Sequence, residues 1–433
     1  MKSKRKLKKE IKLLLIILCL TIFIICFFKN KKDGFNEFNN LEYDITNNEE
    51  SDKDVIKGIF ANGMSLNDYK NVLNNKAKKL NIRGKYKILE YDFEKQLHYS
   101  EIEDYIKEMS KSDIVNVYII GKTHDNRNIY NVEIGKGNKI LMLDANMHAA
   151  ESANTPILTK FLNDILNDYE RNDERVVELL KSVKIASIPC INPDGYEVYN
   201  FGFESINNKE LWIYQNKDKV SADHFKYNAN GVDLNRNFPT QSAGLYHIDK
   251  ELISSVSLDK TTKRYTYFGG NVLGSEPETR AVMYQILTHY KDAYAYINIH
   301  SQGRVIYSGK PNLSDEYNEI TIALCKRIGK IVNYKVHDLD REEVGEGNDG
   351  TASDFMAELA NGFIFSSKTG RLSTNKYKDN NAALKYSVPA IVLETMNDNY
   401  KDPNKYKEEY YDRGLKKMFY DLLEYGYEQV KSK

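Results

Sequence analysis

The sequence has few of the residues that usually announce a special chemistry. Of its 433 residues one is tryptophan and four are cysteine, and Cys19 and Cys26 fall inside a single apolar run near the start. Cys190 and Cys325 remain, with no CxxC pair and no Cys/His cluster, so neither a disulfide framework nor a thiolate metal site is expected. One bridge between these two is open in an oxidising compartment, but two buried free thiols are the simpler expectation. Charge of one sign is missing as well. Lys+Arg and Asp+Glu number 62 each, and a net charge of zero argues against a nucleic-acid partner. No HExxH pair occurs, so a metal would have to be held by histidines and carboxylates brought from distant positions.

What is present begins at the N-terminus. "MKSKRKLKKEIK" is basic, and the run Leu13–Phe28 that follows carries no charge. At 1.5 Å per residue it is a little short for a span, although flanking lysines snorkel. No small residue offers a signal-peptidase cut, and positive charge is denser before the run than after it. We therefore expect residues 1–28 to be a signal anchor, with a cleaved signal peptide as the alternative. Either way the body of the protein is extracytoplasmic, membrane-anchored or secreted. Residues 29–95 read as a polar linker, centred on "NNEESDKD", plus a small accessory piece or pro-segment with a strand at "KYKILEY".

From residue 96 to 428 the pattern is regular. "YSEIEDYIKEMSKS" is an amphipathic helix, and "VNVYIIGKT" and "IYNVEIG" form a hairpin through "HDNRN". "KILMLDANM" is apolar on both faces, as a central strand should be. "TPILTKFLNDILNDY" is a helix, and "VKIASIPCI", "AYAYINIH" and "VPAIVLE" are further strands. "SEPETRAVMYQILTHYK" opens with a capping box from Ser275 to Glu278 and continues as a helix. Strands alternating with helices predict one α/β domain, and 41% hydrophobic residues suffice for its core.

In such sheets sites form at the carboxyl ends of strands. Three strands here end in reactive residues: His148 and Glu151, His300, and Glu394. A lone histidine at a strand end is usually structural; two histidines and two glutamates at one sheet edge point to a metal. Two imidazoles and a carboxylate suit zinc with its fourth position open. His148, Glu151 and His300 are then the ligands, and Glu394 is placed to take a proton from water.

The ordered motifs "HAAE", "INPDGYE", "GVDLNRNFP", "SEPETR", "INIHSQG" and "IVLE" resemble those of the zinc carboxypeptidases of the funnelin, carboxypeptidase A-like group, from His98 to about Tyr425. The resemblance implies an α/β fold, a single domain with a mixed, twisted eight-stranded sheet flanked by helices. It implies one Zn2+ on His148, Glu151 and His300, with Glu394 as general base. It further implies that Asn235 and Arg236 bind the terminal carboxylate of a peptide substrate, for which a guanidinium fork is the natural partner. Lys226 stands where the family often places a cation near the developing oxyanion; a solvated lysine is the bland alternative. Asp354 lies near the family's specificity pocket and is equally suited to cap the helix "FMAELA". Pro193, Asp194 and Gly195 are expected to make a turn. The chain departs from the family in lacking tyrosine between Tyr334 and Tyr377, where many members carry a mobile one.

"HSQG" followed by "RVIYSG" looks more like bacterial enzymes that trim cell-wall peptides at the γ-D-glutamyl–diaminopimelate bond. The expectation is thus a metallocarboxypeptidase acting on cell-wall peptides. A general peptide carboxypeptidase is the first alternative, and a non-catalytic, membrane-tethered peptide-binding domain the second.

Overall fold

The computed structural model describes residues 77–432, apart from 209–221, 223–224, 242, 244–268, 271, 309–312, 338–349, 367–369, 374–385 and 387. The apolar run and most of the linker lie outside the described residues. Among the described residues no helix is long and apolar enough to cross a membrane.

Alternation of side chains explains the architecture. The strands are β1 (Lys78–Lys79), β2 (Val115–Lys122), β3 (Asn128–Ile134), β4 (Lys139–Ala145), β5 (Val183–Ile188), β6 (Ala293–Ser301), β7 (Val305–Tyr307), β8 (Lys335–His337), β9 (Ile364–Ser366), β10 (Arg371–Ser373) and β11 (Ala390–Thr395). The helices are α1 (Tyr99–Met109), α2 (Asn154–Glu170), α3 (Glu174–Ser182), α4 (Pro193–Phe201), α5 (Pro277–His289), α6 (Asp315–Val332), α7 (Ala352–Ala360), α8 (Pro403–Lys407) and α9 (Leu415–Lys431). On β4, Leu141, Leu143 and Ala145 join one apolar core, and Ile140 and Met142 join the other. On β6, Ala295, Ile297 and Ile299 share the first core and Tyr296 the second. The first core is filled by α1, α2, α3, α6 and α9, the second by α5 and α7. A strand buried on both faces has no polar face to show, which is why these segments read as unbroken apolar runs.

The main sheet has nine strands in the order β1-β2-β3-β5-β4-β6-β11-β7-β8, with a separate pair β10-β9. It is mixed: β5, β4, β6 and β11 run parallel to one another, and β2 and β3 are antiparallel neighbours. The count exceeds the expected eight because two residues before the domain, Lys78 and Lys79, pair with Ile119 and Tyr118 at the β2 edge.

Four local expectations are corrected. "KYKILEY" is not a strand. Its backbone groups are met by helix side chains: Leu89 O accepts from the amides of Asn163 and Asn167, and Lys87 N donates to Glu108. Tyr86, Tyr91 and Phe93 nevertheless enter the first core. The capping box at Ser275 does not form, because Ser275 Oγ donates to the Glu276 carboxylate and Glu276 becomes the N-cap residue. Pro193 to Gly195 form the first turn of α4 rather than a free turn, with Asn192 Oδ1 accepting from Gly195 N at 2.9 Å and Pro193 at the start. The cap of α7 is Thr351, not Asp354. Cys190 and Cys325 are both buried thiols outside any disulfide, as the sequence suggests.

Candidate metal centre and active site

The carboxyl end of β4 continues through Asn146, in the left-handed region with φ 59°, to Met147 and His148. A single-turn 3-10 helix, Ala149–Glu151, then returns Glu151 toward His148. One buried amide holds this turn. Asn192 Nδ2 donates to Met147 O (3.3 Å) and Tyr227 O (3.1 Å), and Ala149 N donates to Lys226 O at 3.0 Å. Helix α4 packs so closely here that a Cβ on Gly195 would lie 2.6 Å from Ala149 Cβ and 2.5 Å from Asn192 Nδ2. Only glycine fits.

His300 sits at the end of β6 and Glu394 at the end of β11, directly paired in the parallel register. Both follow first-core residues, Ile299 and Leu393, so both side chains point to the opposite face, toward α5 and α7. His148, Glu151 and His300 each offer a ligand atom within 4.8 Å of the others. The two rings stand 4.9 Å apart, inclined at 52°. His148 Nδ1 lies 2.7 Å from Glu151 Oε1, and His300 Nδ1 lies 2.9 Å from Glu151 Oε2.

The far nitrogens fix what these contacts mean. His148 Nε2 faces Asp233 Oδ1 at 3.1 Å, and His300 Nε2 faces Asn298 Oδ1 in a short contact. Both partners are acceptors, so each Nε2 carries a hydrogen and each Nδ1 presents a lone pair to a carboxylate oxygen. Acceptors facing acceptors need either two extra protons or one cation between them. Two imidazoles, one carboxylate and an acceptor behind each ring fit zinc in donor type and in support. Burial alone would raise the Glu151 pKa, but the two imidazoles hold it well below the usual carboxylate range. Burial lowers His300, and the Glu151 charge more than offsets this and raises it.

Glu394 keeps a little surface, yet its carboxyl is enclosed enough for burial to push its pKa above the usual range. The Glu151 charge adds to that shift, while His300 and Lys226 oppose it. Lys226 is thus within electrostatic reach of Glu394, and its Nζ lies 3.1 Å from Asp233 Oδ2. Asp233 is the residue whose role the sequence pattern concealed. It is fully buried, caps the 3-10 turn Leu234–Arg236, and faces both His148 and Lys226. Burial would raise its pKa, but Lys226 and His148 bring it well below the ordinary value.

The same turn carries Asn235 and Arg236, both buried. Asn235 Nδ2 lies 3.5 Å from His300 Nε2, and its Oδ1 accepts from Ala352 N at 3.1 Å, tying the turn to the start of α7. Arg236 Nη1 donates to Asn235 O at 2.7 Å. Gly350 closes behind Arg236, where a Cβ would come within 2.9 Å of Arg236 O. Asp354 is buried in the first turn of α7, its backbone N–H donating to Thr351 Oγ1. The structure therefore gathers His148, Glu151, His300, Glu394, Lys226 and Asn235 around one point, with Arg236 adjacent in the turn and Asp354 on the helix that buttresses it.

The chain has recognisable relatives among known proteins. Carboxypeptidase O of Bos taurus is 26% identical over 245 residues, 54% of this chain and 59% of that protein. Gamma-D-glutamyl-L-diamino acid endopeptidase 1 of Lysinibacillus sphaericus is 29% identical over 202 residues, 45% of this chain and 48% of that protein. The chain spans about half the length of the curated relatives it matches. In fold it is similar to bovine thrombin-activatable fibrinolysis inhibitor, with a TM-score of 0.55 and 18% identity over 78% of this chain and 99% of that one. The family pattern described as zinc carboxypeptidase runs over residues 102–409, well over half of the sequence, and the chain belongs to that family.

Proposed function

We propose that the protein is a zinc metallocarboxypeptidase that removes the C-terminal residue of a peptide, with cell-wall peptides of the γ-D-glutamyl–diaminopimelate type as its substrates. The observation that carries the hydrolytic reading is the register pairing of Glu394 with His300: a base candidate lies one strand from a ligand and on the same face. The chemistry a bound zinc supplies here is Lewis acidity, which polarises a carbonyl and brings the pKa of water to about 7. Arg236 and Asn235 dock the substrate's terminal carboxylate, and the N-terminus of α7 beside Asn235 favours that negative charge. Glu394, whose pKa burial raises, takes a proton from water and returns it to the leaving amine. Lys226 adds positive charge beside the reacting carbonyl.

The cell-wall assignment is supported by the Lysinibacillus sphaericus relative, whose name specifies a gamma-D-glutamyl-L-diamino acid bond. Leu13–Phe28 supports an anchor holding the domain outside the membrane, where that polymer is met. Digestion of wall peptides beside ordinary peptides, each with a free and an amidated C-terminus, tests both parts. Faster cleavage of wall peptides, abolished by amidation, is expected. Preference for ordinary peptides would make it a general carboxypeptidase, and zinc binding without any hydrolysis would leave only a peptide-binding domain. Arg236→Lys keeps the charge and loses the fork, so kcat/KM should fall about 10- to 100-fold, in line with a charge-assisted bond worth about 1.5–3 kcal/mol.

A further inference from the structure

A second group of metal-ligating side chains comes together away from the active site. His124, Glu276 and Glu278 each offer a ligand atom within 4.8 Å of the others. His124 comes from the turn between β2 and β3, Glu276 is the N-cap of α5, and Glu278 stands in its first turn. His124 Nε2 lies 2.9 Å from Glu276 Oε2. Asn228 Nδ2 donates to Glu276 Oε2 (2.8 Å) and to Glu278 Oε2 (3.0 Å), clamping the two carboxylates side by side. Glu278 is fully buried, and its Oε1 has no hydrogen-bond partner among the described residues.

The charge balance around these residues is uneven. Asp194 acts electrostatically on both His124 and Glu278, and it is bonded to Arg127, which also bonds Asp125. Asp125, Asp194, Glu276 and Glu278 are all buried. Arg127 meets Asp125 and Asp194, and His124 meets Glu276, while Glu278 lies beside Glu276 with Oε1 unpartnered. A buried carboxylate oxygen without a partner is costly, and a proton or a cation at Glu278 relieves that cost.

We propose that His124, Glu276 and Glu278 form a second divalent-metal site, taking a zinc-class transition ion that braces the segment leading to Asp233. One imidazole with two carboxylates suits such an ion better than calcium or magnesium, which prefer oxygen throughout. His124 is about a third exposed in its side chain (34%), which gives the ion an entry path. Binding replaces the hydrogen bond between His124 and Glu276 with bonds from both side chains to the ion. The structural consequence runs through Asn228, whose Oδ1 accepts from Val232 N at 3.0 Å, directly ahead of Asp233.

The test uses the full chain, stripped with a chelator, dialysed against zinc and counted by elemental analysis. Wild type should hold two ions, H148A/H300A one, H124A/E278Q one, and the combined variant none. Zinc should also raise the Tm of H148A/H300A, a readout that needs no second-site variant to fold. One ion in wild type, no ion and no Tm shift in H148A/H300A, or two ions retained by H124A/E278Q would each overturn the second site. Loss of one ion in H148A/H300A reports on the catalytic centre separately.

Discussion

The two histidine–glutamate clusters are built from the same residue types and differ in what stands behind them. At the first, each imidazole has an acceptor at its far nitrogen, Asp233 or Asn298, so both near nitrogens are aimed at one point beside Glu151. Glu394 is paired in register with a ligand, and Asn235 and Arg236 occupy the adjoining turn. At the second, the carboxylates are clamped by amides and a serine hydroxyl, and Glu276 accepts from His124, Asn228 and Ser275. The contrast teaches that ligand types alone make a metal site, whereas a neighbouring base and an anion-binding turn make a catalytic one.

The sharpest way to break that contrast is to remove the base and leave the ligands. Glu394→Gln should lower kcat by about 10²- to 10⁴-fold, the usual contribution of a positioned general base. Zinc content should be unchanged, because Glu394 is not among the three grouped ligands. Elemental analysis and steady-state kinetics on the same preparation check both halves. Full activity in this variant would remove Glu394 from the chemistry.

How far each cluster was legible in the sequence follows from where its residues sit. His148, His300 and Glu394 each end an apolar run, and a reactive residue after such a run is visible without a structure. Burial on both faces made β4, β5 and β6 readable as continuous apolar runs. Asp233 and Asn192 were hidden because they act through contacts remote in sequence: Asp233 reaches His148 across 85 positions, and Asn192 reaches Met147 across 45. The second cluster was hidden for a similar reason. Its histidine lies in a hairpin turn, and its glutamates belong to "SEPETR", where helix capping is the simpler reading until Ser275 is seen to bond Glu276. "KYKILEY" misled in the other direction, since its apolar spacing is satisfied by packing on a helix and not by pairing.

A smaller effect, in stability, separates the clusters by pH. Burial lifts Glu278 from 4.5 to about 7, with Glu276 and Asp194 adding and His124 opposing. In metal-free protein the folded state therefore keeps a proton that the unfolded chain releases near 4.5. The native state binds more protons across that window, so stability falls as pH rises from about 4.5 to 7. Glu278→Gln carries no such proton. Unfolding in denaturant with chelator present should show the variant gaining on wild type between pH 5 and 8, by up to about 3 kcal/mol. Added zinc should reverse the order at pH 8, because both proteins gain from the first cluster and only wild type gains from the second. A gap that does not change with pH would mean that Glu278 titrates normally.

The smallest expected change tests whether the clusters are independent. Asp233→Asn leaves an acceptor oxygen for His148 Nε2 but removes the charge that holds the imidazole in its ligating tautomer and balances Lys226. Loss of such a supporting partner typically weakens metal affinity 10- to 100-fold. Competition with a chromophoric chelator should show that loss at the first cluster, with affinity at the second unaltered. The reason is geometric. Asp233 bonds His148, Lys226 and Asn235, while the side chains of Asn228 and Asn230 link the segment to Glu276, and that of Asn228 also to Glu278. If both affinities fell together, the segment between Asn228 and Asp233 would be transmitting strain, and the two sites would have to be treated as one coupled unit.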